Sequence, residues 1–437
     1  MIESIRHSAF CQPVLRLPPW AFSIRVLACL IASRRKATLL AGQASKGFQH
    51  AFAYRILQLQ YPAANPMICK CQGDHMIKKD HFLSLDGFRG VAAILVVLRH
   101  TLPFFGGNPF YESYLAVDLF FLLSGAVVAR AYEARLLGGL PLKSFVWIRM
   151  LRLYPLYFLG TAIGIVAALT GAIQYEKHLG LAAVLGLLFI PGMQASTLFP
   201  LNSPAWSLSA EVAVNVFYGW KVRLLNDRVL LAVVGVAMLA LIAFLAFSPG
   251  HSLDAGFKRK TFYVSYIRVA LSFAAGILLY RIYTRRVAGP IVSNGKVVLA
   301  MCGLAGLLMS SPPLHLVAFF DFFAVCVGFP VLIYAGMRYQ TSGWLSHLCK
   351  FLGIVSYPIY IVHSPIAELI RLSAPRLIGH PVDAYAPMAG IIFLMAISLL
   401  AWLLHHYYDE PIRRYIGAKV ARRAAIRAAS GITPTST

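Results

Sequence analysis

Along most of this chain apolar residues run on for about 20 positions at a time, and the breaks are filled by Arg, Lys and short polar stretches. A helix rising about 1.5 Å per residue needs roughly 20 apolar residues to cross a hydrocarbon layer ~30 Å thick. The pattern predicts spanning helices near 86–105, 114–133, 151–171, 205–221, 228–247, 263–283, 296–311, 316–337, 351–371 and 386–408. An eleventh run, "LGLAAVLGLLFIP" at 179–191, is short and is expected to dip into the membrane or lie at its surface. The expected fold is all-α: a polytopic membrane helical bundle of about ten transmembrane helices plus one short re-entrant or interfacial segment.

Loop charge orients the bundle. "MIKKD" is basic, "PFFGGNPFYES" has no Lys or Arg, and "ARAYEARLLGGLPLKSFVWIRMLR" is strongly basic. By the positive-inside rule this alternation puts both ends of the membrane body in the cytoplasm, provided 179–191 does not cross. "FKRK" at 257–260 breaks the rule, because the scheme leaves it outside. Residues 1–75 are basic and weakly patterned, and read as an extension that is dispensable or precedes the true start at Met76. Residues 76–412 form the membrane domain and 413–437 a basic cytoplasmic tail.

Composition agrees with the pattern. Of 437 residues, 59% are hydrophobic and 13% charged, too few polar residues to coat a soluble domain of this size. A net charge of +24 invites a nucleic-acid reading, but eleven of the 40 basic residues precede residue 81 and six follow Pro411. Most others end apolar runs, where insertion bias and anionic lipid account for them, and no basic–aromatic binding module is present. No nucleic-acid partner is therefore expected; membrane lipid is. Cys69 and Cys71 lack a second Cys or His pair at zinc spacing, so no metal site is expected.

The candidate chemistry lies where polar residues interrupt apolar helices. In "LDGFRGVAAILVVLRH", Arg89 and His100 stand eleven residues apart, which on a helix is almost the same face with a rise of roughly 16 Å. One cavity reached from two levels would explain both, while Arg99 points elsewhere. Asp118, Glu211, Asp321, Glu368, His100 and His363 lie inside apolar runs. Each costs roughly 2.5–3.5 kcal/mol at a helix centre unless paired or wetted, so each is either functional or part of an interhelical pair. "NSPAWSLSAEVAVNVFYG" begins with Ser203 as cap and Pro204 in the first turn. Its Ser207, Glu211 and Asn215 then make one polar stripe, either a packing seam or the lining of a hydroxylated substrate's path. "LGIVSYPIYIVHSPI" likewise groups Ser356, Tyr360 and His363, with Tyr357 nearby: aromatic and hydroxyl groups suited to a sugar or headgroup, or a tyrosine-rich seam. Arg149 and Arg152 share a face of "WIRMLRLYPLYF", as a membrane anchor or as a clamp for the phosphates of a cytosolic donor.

Six ordered motifs resemble the acyltransferase 3 family of integral membrane proteins, typified by bacterial polysaccharide O-acetyltransferases. They are "LDGFRG" with His100 (Arg/Lys, ten residues, His), "VDLFFLLSG" with Asp118, "RMLRLYP", "WSLSAE" with Trp206, "GIVSYPIYIVH" and "DEP" at Asp409–Pro411, across about residues 81–412. The resemblance implies transfer of an acyl group, most often acetyl from acetyl-CoA, to a hydroxyl of an extracytoplasmic glycan or lipid-linked saccharide, by a multi-pass protein of the inner membrane. No permanently bound cofactor is implied; acyl-CoA is a co-substrate. The fused extracytoplasmic domain of many members is missing here, so a separate acyl-accepting protein is a possible partner. On this footing His100 is the expected base, oriented by Glu211 or Asp118, and Arg89, Arg149 and Arg152 hold the donor's phosphates. Trp206, Ser207, Tyr357, Tyr360 and His363 meet the acceptor. The rivals are a transporter or flippase of a polar lipid-linked molecule, whose acids and histidines would relay protons, and a membrane acyltransferase for lipid or protein.

Overall fold

The structure, a computed structural model, describes residues 81–107, 111–173, 178–193, 196–286 and 289–429. The extension at 1–75 and the Cys69/Cys71 pair lie outside them. The chain divides into two units, Ile77–Ala418 and a second made of Met1–Met76 with Lys419–Thr437. The first holds the membrane body.

Its helices follow the apolar runs. They are α1 (Leu83–His100), α2 (Ala116–Val128) with the short α3 (Ala134–Leu137), α4 (Leu142–Leu169), α5 (Leu179–Leu187), α6 (Ala205–Lys221), α7 (Asp227–Phe247) and α8 (Phe262–Arg286). Then come α9 (Asn294–Leu308), α10 (Val317–Phe323), α11 (Phe329–Arg338), α12 (Gly343–Ile378), α13 (Met388–Leu404) and α14 (Glu410–Ala429). Five-residue π turns join α2 to α3, α10 to α11, and α13 to α14. A two-residue parallel pairing of Ile291–Val292 with Tyr339–Gln340 is the one sheet among the described residues.

Every one of the ten predicted segments is helical, yet seven helices among the described residues are long and apolar enough to cross a membrane by length and composition. The three that fall short are α1, whose 18 residues include Asp86, Arg89 and Arg99, and α6 and α9, with 17 and 15 residues. At nine residues α5 is too short to span, as its sequence suggested. The outer helices turn apolar faces outward: on α7, Leu231, Val236 and Leu239 are 60–69% exposed, a surface suited to lipid rather than water. One expectation for α6 fails: the helix starts at Ala205 behind Pro204, and no side chain, Ser203 included, caps it.

Two close contacts set the positions that matter for function. Helices α1 and α12 pack in parallel through glycine. A Cβ on Gly87 would lie 2.7 Å from the sulfur of Cys349, and one on Gly90 would lie 2.3 Å from the Cβ of Leu352. Removing both side chains lets the helices approach at backbone distance, the usual device of membrane interfaces. Helices α2 and α8 do the same reciprocally, Gly125 against the Phe273 carbonyl and Gly276 against that of Leu122. Within α12, Pro365 has no N–H for the carbonyl of Ile361, four residues back. Asn202 Nδ2 donates to that carbonyl instead, at 3.1 Å, satisfying an acceptor that lipid cannot.

Candidate active site

The parallel register of α1 and α12 carries forward from the glycine contacts to the far end of α1, where it brings His100 and His363 together. His100 Nδ1 lies 2.9 Å from His363 Nε2, and the rings stack with centroids 5.0 Å apart. The second nitrogen of His363, Nδ1, is 3.0 Å from the carbonyl oxygen of Ile359. A carbonyl only accepts, so in the neutral ring His363 Nδ1 carries the hydrogen and Nε2 offers a lone pair. His100 Nδ1–H must then donate to it. That leaves His100 Nε2 as the free basic nitrogen, its tautomer set through His363 by one backbone carbonyl. His363 is fully buried, while His100 is exposed into a cavity.

That cavity has a volume of about 580 Å³, and its walls include Trp206, Tyr360, Val117, Tyr114, Asp254 and Arg268. Arg268 was missed in the sequence, although a lone arginine inside the apolar run of α8 was a visible signal. It is 1% exposed, and its five N–H groups are all taken. Nε and Nη2 donate to the carboxylate of Asp118, with Nη2 to Oδ2 at 2.5 Å. Nη1 donates to the carbonyls of Leu253 and Ala255 at 2.9 and 2.8 Å, and Nη2 also to that of Tyr114 at 3.1 Å. A guanidinium so completely engaged has nothing to offer a ligand. It ties α2 and two loops into the cavity wall.

A second cavity, of about 90 Å³, lies toward the other end of the same helices. Arg89, Arg149 and Arg152 line it, and Glu211 is the one carboxylate among its described lining residues. Arg149 Nη2 donates to Glu211 Oε1 at 2.7 Å, and Ser124 Oγ donates to the same oxygen at 2.7 Å. In contrast to Arg268, Arg149 is 4% exposed with Nε and Nη1 unpartnered among the described residues. Three guanidiniums line it against one carboxylate, and the open buried donors of Arg149 cost energy unless an anion meets them.

The expectation of one cavity shared by Arg89 and His100 is corrected. There are two, which share Val117 and Tyr360 as walls. Between them Ser207 Oγ and Tyr360 Oη are 2.7 Å apart, and Phe120 packs edge-on against the Tyr360 ring. Part of the polar stripe of α6 thus meets the polar face of α12 as a hydrogen-bonded seam.

Other expectations shift as well. Neither Glu211 nor Asp118 touches His100; each is paired with an arginine, and His363 holds the position given to them. His363, expected to meet the acceptor, is buried against His100 and does not line the cavity that His100 lines. Tyr357 lines the arginine cavity and its hydroxyl bonds the Leu153 carbonyl, so it is on the side expected for the donor. Trp206 does line the His100 cavity, Ser207 lines the arginine cavity, and Tyr360 lines both. Arg152 and Arg89 fall beside Arg149. Asp321 is buried and accepts from Tyr114 Oη at 2.8 Å and from the Leu253 N–H at 2.7 Å. Glu368 is paired with Arg371 near the surface. Arg99 lines the same cavity as His100 but meets a different partner, Asp254, at 2.8 Å. Among the described residues no group of three or more His, Cys, Asp or Glu is placed to hold a metal ion.

Comparison with known proteins adds two findings. The family described as "Acyltransferase domain" matches residues 82–407. "Protein 2 in picA locus" of Rhizobium radiobacter is 40% identical over 183 residues, which is 38% of this chain and 95% of that protein. No solved structure matches the chain.

Proposed function

Because the chain belongs to the acyltransferase 3 family and is thus a membrane acyltransferase, we propose that it moves an acyl group, acetyl in the simplest case, from cytosolic acyl-CoA to a hydroxyl on an extracytoplasmic saccharide. The observation that carries this reading is the free Nε2 of His100, held toward a cavity whose far side leads to the arginine cluster. In the proposal Arg89, Arg149 and Arg152 grip the donor's phosphates at the cytoplasmic end. The 90 Å³ cavity has room for a phosphate-sized group and none for coenzyme A, so it widens as the donor's pantetheine arm passes upward. The Ser207–Tyr360 contact parts to admit it.

Chemistry then follows from the tautomer. The acceptor hydroxyl gives its proton to His100 Nε2 as its oxygen attacks the thioester carbon. The new C–O bond makes a tetrahedral carbon; its collapse breaks the C–S bond, and the proton on His100 returns to the leaving thiolate sulfur. While His100 is charged, its Nδ1–H bond to neutral His363 steadies the imidazolium, the part a carboxylate plays in a serine-hydrolase triad. Glu211 keeps Arg149 in place, and Asp118 holds the cavity wall through Arg268. Ten crossings of the inner membrane with both ends in the cytoplasm complete the proposal, with α1, α6 and α9 crossing inside the bundle as helices too polar or short to cross alone.

The test is mass spectrometry of surface glycans from cells with and without the gene. One acyl mark should vanish with the gene and return with the wild-type protein. Unchanged marks, with a saccharide stranded on the cytoplasmic side, would instead support a flippase.

A further inference from the structure

The two cavities meet at one hydroxyl. Among their described lining residues, Tyr360 is the one polar side chain common to both. It stands where a thioester rising from the arginine side first comes within reach of the His100 side. Tyr360 also lies three residues before His363 on α12, with the two rings 6.3 Å apart. The helix that holds His100 through His363 therefore places this hydroxyl too. Its ring is 6% exposed, and Phe120 meets it edge-on with centroids 5.4 Å apart.

The hydroxyls of Ser207 and Tyr360, 2.7 Å apart, share one nearby carbonyl, that of Pro204. Ser207 Oγ is 3.0 Å from that oxygen, whereas Tyr360 Oη is 3.4 Å from it, beyond the usual reach of an O–H donor. The better arrangement is a chain in which Tyr360 donates to Ser207 and Ser207 donates to Pro204. Parting the pair leaves Ser207 its carbonyl but removes the acceptor of the Tyr360 hydrogen. A buried donor without an acceptor is costly until another takes its place. Four other polar groups on the His100 side are already committed. Arg268 has no N–H left, Arg99 pairs with Asp254, Tyr114 donates to Asp321, and His100 Nε2 is the proton acceptor. The Trp206 indole lines the His100 cavity alone.

We propose that the Tyr360 hydroxyl is the oxyanion donor of the transfer. The entering thioester separates it from Ser207, and its O–H turns to the thioester carbonyl oxygen. As the acceptor oxygen attacks, the C=O electron pair moves onto that oxygen, and Tyr360 donates to the resulting oxyanion without giving up its proton. Collapse restores the C=O bond and expels the thiolate, which takes its proton from His100. In the bound thioester the hydroxyl only exchanges one neutral acceptor for another, so binding gains little. A charge-assisted bond is roughly twice as strong as a neutral one, so the gain falls on the tetrahedral state. With no donor present the hydroxyl is tied to Ser207, and the oxyanion site forms only when a thioester fills it. The proposal rests on the acyltransferase reading and adds to it a residue that touches the reacting oxygen.

The experiment uses the purified full chain in detergent and a ketone analogue of acetyl-CoA, in which a methylene replaces the sulfur so that no transfer occurs. Infrared spectroscopy reads its carbonyl stretch, and calorimetry reads its binding. Bound to wild type, the stretch should fall to lower frequency; Tyr360→Phe should bind the analogue with comparable affinity and lack that fall. Turnover is measured with acetyl-CoA and a lipid and saccharide extract of the source cells as acceptor. Tyr360→Phe should lower kcat by roughly 10²–10³-fold, the loss typical of one oxyanion donor, with the KM for acetyl-CoA unchanged. Ser207→Ala breaks the same contact but keeps the Tyr360 hydroxyl, so its kcat should fall about tenfold less. Equal losses in the two variants would reduce the pair to a packing seam and overturn the proposal. So would a stretch unmoved in wild type, or moved equally in Tyr360→Phe. Failure of wild type to bind the analogue at all would overturn the acyl-CoA reading itself, and this proposal with it.

Discussion

At the scale of single residues, the two buried arginines and the two histidines make opposite demands on a mutation. His100→Ala should lower acyl transfer by roughly 10²–10⁴-fold at normal membrane abundance, because it removes the proposed proton acceptor and no fold-determining contact beyond the His363 bond. His363→Ala should lower the turnover rate less and leave the KM for acyl-CoA unchanged, since it frees the tautomer without removing the base. Near-wild-type turnover in the first variant would make the pair structural. Arg149→Gln should raise the KM for acyl-CoA with the protein still folded, as Nε and Nη1 are the donors left open. Asp118→Ala should behave differently and cost about 3–5 kcal/mol of stability, read as lost membrane protein, because it strands a guanidinium buried to 1% exposure. If D118A accumulates normally yet loses all activity, the carboxylate has a chemical role that its contacts do not reveal.

At the scale of elements, the α1–α12 pair is a ruler whose two ends are linked. The glycine contacts at Gly87 and Gly90 fix how closely the helices run, and that spacing sets the His100–His363 distance about three turns further on. Gly90→Val should therefore cost about 1–3 kcal/mol as overpacking. It should also lower transfer in the protein that still folds, although residue 90 touches neither histidine. Thermal unfolding and turnover of the same detergent-purified sample check both halves; a destabilised but fully active Gly90→Val protein would show that the ruler does not set the pair. Asn202→Ala tests the proline break in α12: it leaves the Ile361 carbonyl without its side-chain donor and should cost about 1–3 kcal/mol.

At the scale of the whole molecule, the proposed path has a direction, so topology is a functional prediction. A cysteine at Ser252, which lines a cavity of about 1340 Å³, should react with an impermeant thiol reagent added outside intact cells, and one at Gly343 should react only after permeabilisation. The reverse pattern would put the His100 end of the bundle on the cytosolic side and overturn the proposed direction of transfer. The three helices that fail to qualify as spans alone, α1, α6 and α9, bear on the same question. α1 and α6 carry Arg89, His100, Ser207 and Glu211, and a helix bearing such groups can cross only where neighbours satisfy them.

The sequence by itself determined the class of molecule: apolar runs of bilayer length can only be helices, since lipid leaves no other way to satisfy the backbone. Motif order along 81–412 also made the family legible, and a helical period of 3.6 residues was enough to give Arg99 a different partner from His100. Tertiary structure alone decided who pairs with whom. Helix periodicity orders residues on one face but is silent on which helix faces it, so Glu211 and Asp118 looked equally able to serve His100. Packing instead gave them to Arg149 and Arg268, and gave His100 to His363 across 263 residues of sequence. The split into two cavities was equally hidden, because it depends on Tyr360 of α12 reaching Ser207 of α6, a meeting set by how those helices pack and written in neither helix alone.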